Sequence, residues 1–324
     1  MAVYTEVSFA DAAGLVAGLD IGELRELSPC TGGIENTNYF ATTSTGRYVL
    51  TLFERLGAAE LPFYLSLMKH LAGHGLPVPA PHADASGALL LRLAGKPAAV
   101  VDRLPGGHHL APDSADCGRV GALLAHLHLA GRDFVHRQSN LRGLAWWNET
   151  VPVVLPHLGS EQAALLSDEL DFQRQLGASA ALAVLPRGVV HGDLFRDNVM
   201  FVGDEVAGVF DFYFAATDCL LYDIAVALND WCIDLASGRL DEERAAAFVS
   251  AYAAHRPLEP TELRMLPALM RAAAFRFWLS RLWDVHLPRS AMLLTAHDPT
   301  HFERVLQQRR EAPWHPAGRP GSIA

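Results

Sequence analysis

The chain has 324 residues, half of them hydrophobic, and a formal net charge of −10 at pH 7. That length suits one two-lobed enzyme or two domains, with enough apolar residues for a sizeable core. The acidic balance and the lack of any basic run argue against nucleic acid or an anionic membrane as a partner, since both need clustered Lys and Arg. No basic and then apolar leader pattern opens the sequence and no apolar run approaches about 20 residues, so it reads as a soluble, cytoplasmic protein. Cys30, Cys117, Cys219 and Cys232 lack metal-ligand spacing and read as reduced thiols. Lys69 and Lys96 are the only lysines, against 24 arginines, which leaves few lysines to hold a phosphate.

In chain order, Ser8 to Leu19 reads as a short amphipathic helix with Ser8 as its N-cap. Strand-like runs follow at Glu23 to Ser28, Thr37 to Thr43 and Arg47 to Phe53, separated by turns at Thr31-Gly32-Gly33 and Ser44-Thr45-Gly46. Leu61 to Gly75 reads as a helix with Pro62 in its first turn. Strands at Ala88 to Leu93 and Ala98 to Arg103 are joined by Gly95-Lys96-Pro97. Residues 1–104 are therefore expected to form an antiparallel sheet with one main helix, and Leu104-Pro105-Gly106-Gly107 marks the boundary. Residues 105–311 then turn helical. Asp113 to Ala130 carries Val120, Leu123, Leu124 and Leu127 at helical spacing. Further helices are expected at Ser160 to Leu176, Ala178 to Leu185, Leu220 to Ala236, Asp241 to Ala254, Thr261 to Val285 and Pro299 to Arg310. Residues 312–324, rich in Pro and Gly, read as a disordered tail.

Val189 to Tyr213 interrupts the helical region and carries the chemistry. His191-Gly192-Asp193-Leu194-Phe195-Arg196-Asp197-Asn198 is followed thirteen residues later by Asp211-Phe212-Tyr213. Between them, Val199 to Val202 and Val206 to Phe210 flank Gly203-Asp204-Glu205 in a hairpin pattern. Folding that ribbon places Asn198 and Asp211 at one end, where cross-strand neighbours lie roughly 5 Å apart. Both offer hard oxygen donors fit for Mg²⁺. Asp193, five residues before Asn198, is the candidate general base for phosphoryl transfer.

These residues resemble the catalytic loop and metal-binding aspartate of the protein-kinase-like fold, H-R-D-x-x-x-x-N and D-F-G. Glycine after the histidine resembles the aminoglycoside phosphotransferase-like kinases. HGDLFRDNVMF, TGGIENTNYF, YVLTLFE and RFWLSRL together resemble the homoserine kinases of that family, from about Thr5 to Leu306. The resemblance implies an α+β bilobal fold, with a small antiparallel-sheet N-lobe bearing one main helix and a larger helical C-lobe. It implies ATP and Mg²⁺ as cofactors and phosphorylation of L-homoserine, in threonine biosynthesis. It also implies that His191 holds the loop and that Asp223 braces it.

Gly32 and Gly33, with Asn36 and Asn38, form a turn whose backbone amides can approach nucleotide phosphates. The following strand puts Thr51 at or next to the place of the usual phosphate-binding lysine, and the Lys–Glu clamp is missing. Either the glycine-rich loop and Arg196 hold the phosphates, or the protein is a degenerate nucleotide-binding pseudokinase; the intact Asp193, Asn198 and Asp211 favour the first. The small-molecule substrate needs an anion and a cation near the base. Asp230 is the candidate for an ammonium and Arg276, with Arg281 as substitute, for a carboxylate. A kinase acting on an aminoglycoside, choline or a related amine is the nearest rival.

Overall fold

The computed structural model describes residues 5–30, 36–287 and 297–316, and the chain divides into two compact units. The first comprises residues 1–107 with 200–202 and 207–210. It opens with α1 (Phe9–Val16), where Ser8 Oγ accepts the Asp11 amide at 3.1 Å and so satisfies a helix-end donor. β1 (Leu24–Pro29), β2 (Thr37–Thr43), β3 (Arg47–Leu52), α2 (Leu61–Gly73), β4 (Leu91–Leu93) and β5 (Lys96–Asp102) follow. The strands form one antiparallel sheet in the order β1-β2-β3-β5-β4. Alternation fixes its faces. Tyr39, Ala41, Leu50, Leu52, Ala98 and Val100 share a buried cluster with Ala12 and Val16 of α1.

The expected turn at Gly95-Lys96-Pro97 is shorter than its composition suggests. Ala94 and Gly95 both take positive φ, which suits a two-residue hairpin turn, and Lys96 already pairs with Leu93 as the first residue of β5. The Pro-Gly-Gly run does not simply break the chain, because Gly107 and Phe201 exchange backbone hydrogen bonds of 2.9 and 2.7 Å. Gly106, at φ +94°, is required there: a Cβ would lie 1.9 Å from the Phe201 carbonyl oxygen.

The second unit comprises residues 108–199, 203–206 and 211–324. Its first helices are α3 (Ser114–Ala130), α4 (Leu144–Val154), α5 (Ser160–Gly177) and α6 (Ala180–Ala183). Asp113 and Asp116 cap α3 reciprocally. α4 has no counterpart among the expected elements. It contains Pro152 and β-branched residues, yet it forms by burying Trp147, Val151 and Val154. The strands β6 (Arg187–Val190), β7 (Val199–Val202), β8 (Glu205–Val209) and β9 (Ala216–Cys219) form two separate ribbons, β7 with β8 and β6 with β9. The β6–β9 pair was not expected from the sequence.

The chain then runs through α7 (Leu220–Trp231), α8 (Glu242–His255), α9 (Pro260–His286) and α10 (Thr300–Glu311). All twelve residues of α7 are buried. In α9 every residue from Ala272 to Leu279 is buried. Helices buried all round carry no amphipathic stripe, so their polar residues face protein and need partners. No described helix is long and apolar enough to cross a membrane. Of the tail, residues 317–324 lie outside the described residues.

Gly106→Ala is expected to destabilise the protein by about 2 kcal/mol or more, because the new Cβ meets a backbone oxygen in a left-handed conformation. Urea unfolding monitored by circular dichroism measures it.

Candidate active site

The β6–β9 register ends at Val190↔Ala216, so the chain leaves β6 beside the residues that precede β9. His191, Gly192 and Asp193 are thereby set against the Asp211 to Phe214 segment. Gly192 takes φ +76°, and a Cβ there would stand 2.6 Å from the Phe214 carbonyl oxygen. The His191 ring packs 4.5 Å from that of Phe212. Asp211 itself sits in the left-handed region at φ 65°, ψ 58°, a conformation that aspartate tolerates better than most residues. Asn198 precedes β7 and Asp211 follows β8, which brings both to one end of that ribbon.

Asp193 is half-buried, and its amide donates to His191 Nδ1 at 3.2 Å. Asn198 Nδ2 donates to the Asp193 carbonyl at 2.8 Å and to its Oδ2 at 3.2 Å. The Asn198 amide is thus oriented with its nitrogen on Asp193 and its oxygen available as a cation ligand. A neutral and an anionic oxygen, from Asn198 and Asp211, match what a magnesium ion takes from protein while keeping waters.

Asp223, with no exposed surface, holds this loop. Its Oδ2 accepts the His191 amide at 2.7 Å and its Oδ1 the Gly192 amide at 2.8 Å. His128 Nε2 adds a third bond to Oδ2 at 3.1 Å, and His128 Nδ1 meets the Tyr252 hydroxyl at 2.7 Å. Burial pushes the Asp223 pKa up, but the His128 hydrogen bond, the nearby imidazoles and the Gly192 amide together hold it below its ordinary value. An ionised Asp223 fixes the proton on His128 Nε2. The signal for His128 lies in its spacing, four residues after Leu124 on the apolar face of α3, where a polar ring must find a partner.

Arg196 requires a correction. Expected at the nucleotide phosphates, it is buried, with Nε on Asp230 Oδ2 at 3.0 Å, Nη1 on the Leu110 carbonyl at 2.9 Å and Nη2 on the Asp230 carbonyl. Its backbone amide also donates to Asp230 Oδ2, at 2.8 Å. Every guanidinium nitrogen is engaged, as a buried cation demands. Asp230 is accordingly bound through Oδ2.

Arg276, the candidate for a substrate carboxylate, is buried, and its Nη1 lies 4.0 Å from Asp193 Oδ1. Its guanidinium stands 3.8 Å from the Phe277 ring centroid and 4.7 Å from that of Phe214. Neither phenylalanine was singled out from sequence. Phe277 stacks on Phe302 at 5.1 Å, and Arg281 lies over Phe302 at 4.5 Å, donating to the Asp298 carbonyl at 3.1 Å. Arg276 and Arg281 thus flank one aromatic cluster.

In the first unit, Thr51 Oγ1 donates to Asn38 Oδ1 at 2.7 Å, and Asn36 Oδ1 accepts the Glu54 amide at 3.4 Å. Gly32 and Gly33 lie outside the described residues. A Lys–Glu pair does exist here, Lys96 with Glu54, and Glu54 also accepts from the Thr37 and Thr5 hydroxyls. Alternation places Lys96 and Thr37 on the α1 face, with Val100 and Tyr39, whereas Asn38 and Thr51 take the opposite face. Lys96 therefore does not replace a lysine at Thr51.

A model of the phosphotransferase enzyme family matches residues 26–258. The chain belongs to this family. It is 60% identical over 314 residues to homoserine kinase from Polaromonas naphthalenivorans, covering 97% of this chain and 99% of that one. Homoserine kinase from Paraburkholderia phymatum is 52% identical over 317 residues, covering 95% and 98%. Among solved structures, amicoumacin kinase hAmiN aligns with TM-score 0.71 and 17% identity over 94% of this chain and 93% of that one. An aminoglycoside phosphotransferase from Alicyclobacillus acidocaldarius gives 0.64 and 17%, over 95% and 93%. The sheet unit and the helical unit are the kinase-like fold of the phosphotransferase family.

The lowered pKa of Asp223 has a signed consequence. Its contribution to stability is complete above the ordinary value of about 3.8 and is lost as pH falls through the lower folded value. Asp223→Asn is expected to lower stability at pH 7 and to flatten the decline below pH ~4. Urea midpoints across pH 2.5–7 for both proteins, on the order of ten points, would show parallel curves if the carboxylate were not held in this way.

Proposed function

We propose that this chain transfers the γ-phosphoryl group of ATP to the side-chain hydroxyl of L-homoserine, giving O-phospho-L-homoserine and ADP. The reading is carried by the 60% identity to a homoserine kinase across 97% of the chain. It places the protein in threonine biosynthesis, in the cytoplasm.

In this proposal Asp193 orients the acceptor hydroxyl and receives its proton as the new bond to phosphorus forms. Asn198 Oδ1 and the Asp211 carboxylate hold Mg²⁺, which when bound neutralises phosphate charge. Arg276 takes the substrate carboxylate, since a guanidinium 4.0 Å from Asp193 and walled by Phe214 and Phe277 acts in a low dielectric. Arg281, across the same aromatic cluster, reinforces it. Asp230 Oδ2 belongs to Arg196, so its Oδ1 is the atom assigned to the ammonium. Asn36, Asn38 and Thr51, with Gly32 and Gly33, are assigned to the nucleotide. His191 and Asp223 position the loop.

An ADP-release assay with Mg²⁺-ATP against L-homoserine, L-serine, choline and kanamycin tests the reading. Turnover is expected with homoserine alone. Asp193→Asn is expected to lose a factor of roughly 10²–10⁴ in kcat, and Arg276→Gln to raise KM for homoserine with KM for ATP unchanged. Turnover with kanamycin or choline and none with homoserine would refute the assignment.

A further inference from the structure

On the helical unit, away from Asp193, lies a cavity of about 360 Å³ whose wall includes Arg132, Arg137, Arg187, Arg256, His128 and Glu259. Its volume is within the range of small-ligand sites, roughly 300–1,000 Å³. Four arginines converge there with a single acidic side chain, in a chain whose net charge is −10. Arg187 is paired with Asp218 at 3.0 Å, and Arg256 with Glu262 at 3.0 Å. Arg132 has no ion pair or side-chain hydrogen bond among the described residues, and Arg137 donates only to the Phe134 and His136 carbonyls. Among the described residues, two guanidinium groups at one cavity wall therefore have no carboxylate partner.

The cavity also reaches the buried bonds that hold the catalytic loop. His128 lines it, and the same imidazole bonds Asp223, which accepts the His191 and Gly192 amides. Tyr252, on the other nitrogen of His128, has Arg256 5.7 Å from its ring. From wall to loop the connection is two side chains long.

We infer that this cavity binds phosphate, free or as a small phosphomonoester, and that its occupancy adjusts the catalytic loop through His128. Planar guanidinium forks match phosphate oxygens bidentately, which a carboxylate-poor arginine wall suits better than it suits a neutral ligand. The anion adds no chemistry to the transfer. It shifts the equilibrium position of a loop whose anchor shares a wall with the site.

The test is calorimetric titration of the full chain, with its nucleotide site saturated by AMP-PNP and Mg²⁺. Inorganic phosphate is the titrant in one arm and O-phospho-L-serine in another. Sodium chloride of matched ionic strength is the control. Saturable binding is expected, weakened at least about tenfold in Arg132→Ser/Arg137→Ser, whose two exposed residues lie outside the catalytic machinery. Tighter binding of one titrant identifies which source of phosphate the site prefers. In a parallel assay at saturating ATP and homoserine, the anion is expected to change kcat of the natural protein and leave that of the double variant unaltered. That second arm rests on the proposed activity; the binding arm does not, so the two can fail separately. No binding of either anion, binding that the double variant retains, or binding without any change in kcat would overturn the inference.

Discussion

Asp223 has no exposed surface and accepts hydrogen bonds from two consecutive backbone amides, those of His191 and Gly192, and from His128. An isolated carboxylate in that position would neutralise itself by taking up a proton. Three donors keep it ionised, and in return the carboxylate fixes the backbone one residue before Asp193. The rest of α7 continues the same work. Asp230 takes the amide and guanidinium of Arg196, and Trp231 Nε1 donates to the Leu194 carbonyl at 3.1 Å. Asp230 and Trp231 follow Asp223 by about two helical turns, which returns them to the same side of the helix. One buried helix thus grips the loop from His191 to Arg196 along its length, which is how a segment without regular structure holds a catalytic geometry.

The same arrangement explains the role of Arg196. A basic side chain three residues after the base looks available for a phosphate when only the linear sequence is seen. Docking of α7 buries it, and a buried guanidinium needs a carboxylate and carbonyls more than it needs a ligand. Arg276 is held differently. It faces Asp193 with aromatic rings on its flanks, and its partner carboxylate is 4.0 Å away rather than in contact. The two arginines illustrate how similar residues in one unit divide between holding the loop and facing the base.

Much of the fold was legible because it follows from local chemistry. The Ser8 cap, the strand-like run of β2 and the helical spacing of Val120, Leu123, Leu124 and Leu127 in α3 each satisfy a rule read within a dozen residues. What escaped depended on distant partners. α4 has poor intrinsic propensity and forms because Trp147, Val151 and Val154 find a core. β6 and β9 are four residues each and exist only as a pair. The spacing of Asp193, Asn198 and Asp211 was visible, whereas the partners of Arg196, Asp230 and Leu110, and the Phe214 ring beside Arg276 come from residues dozens of positions away. His128 lies between: its place on an apolar helical face was visible, its partner Asp223 was not.

The central claim is that α7, through the Asp223 carboxylate, sets the position of the catalytic loop. Hydrogen exchange at the His191 and Gly192 amides, measured for the natural protein and Asp223→Ala and compared with kcat, tests it directly. The account predicts slow exchange in the natural protein. In the variant both amides should lose protection before the remainder of the helical unit does, with kcat falling by roughly a hundredfold or more. Retained protection at both amides with kcat unchanged would contradict it.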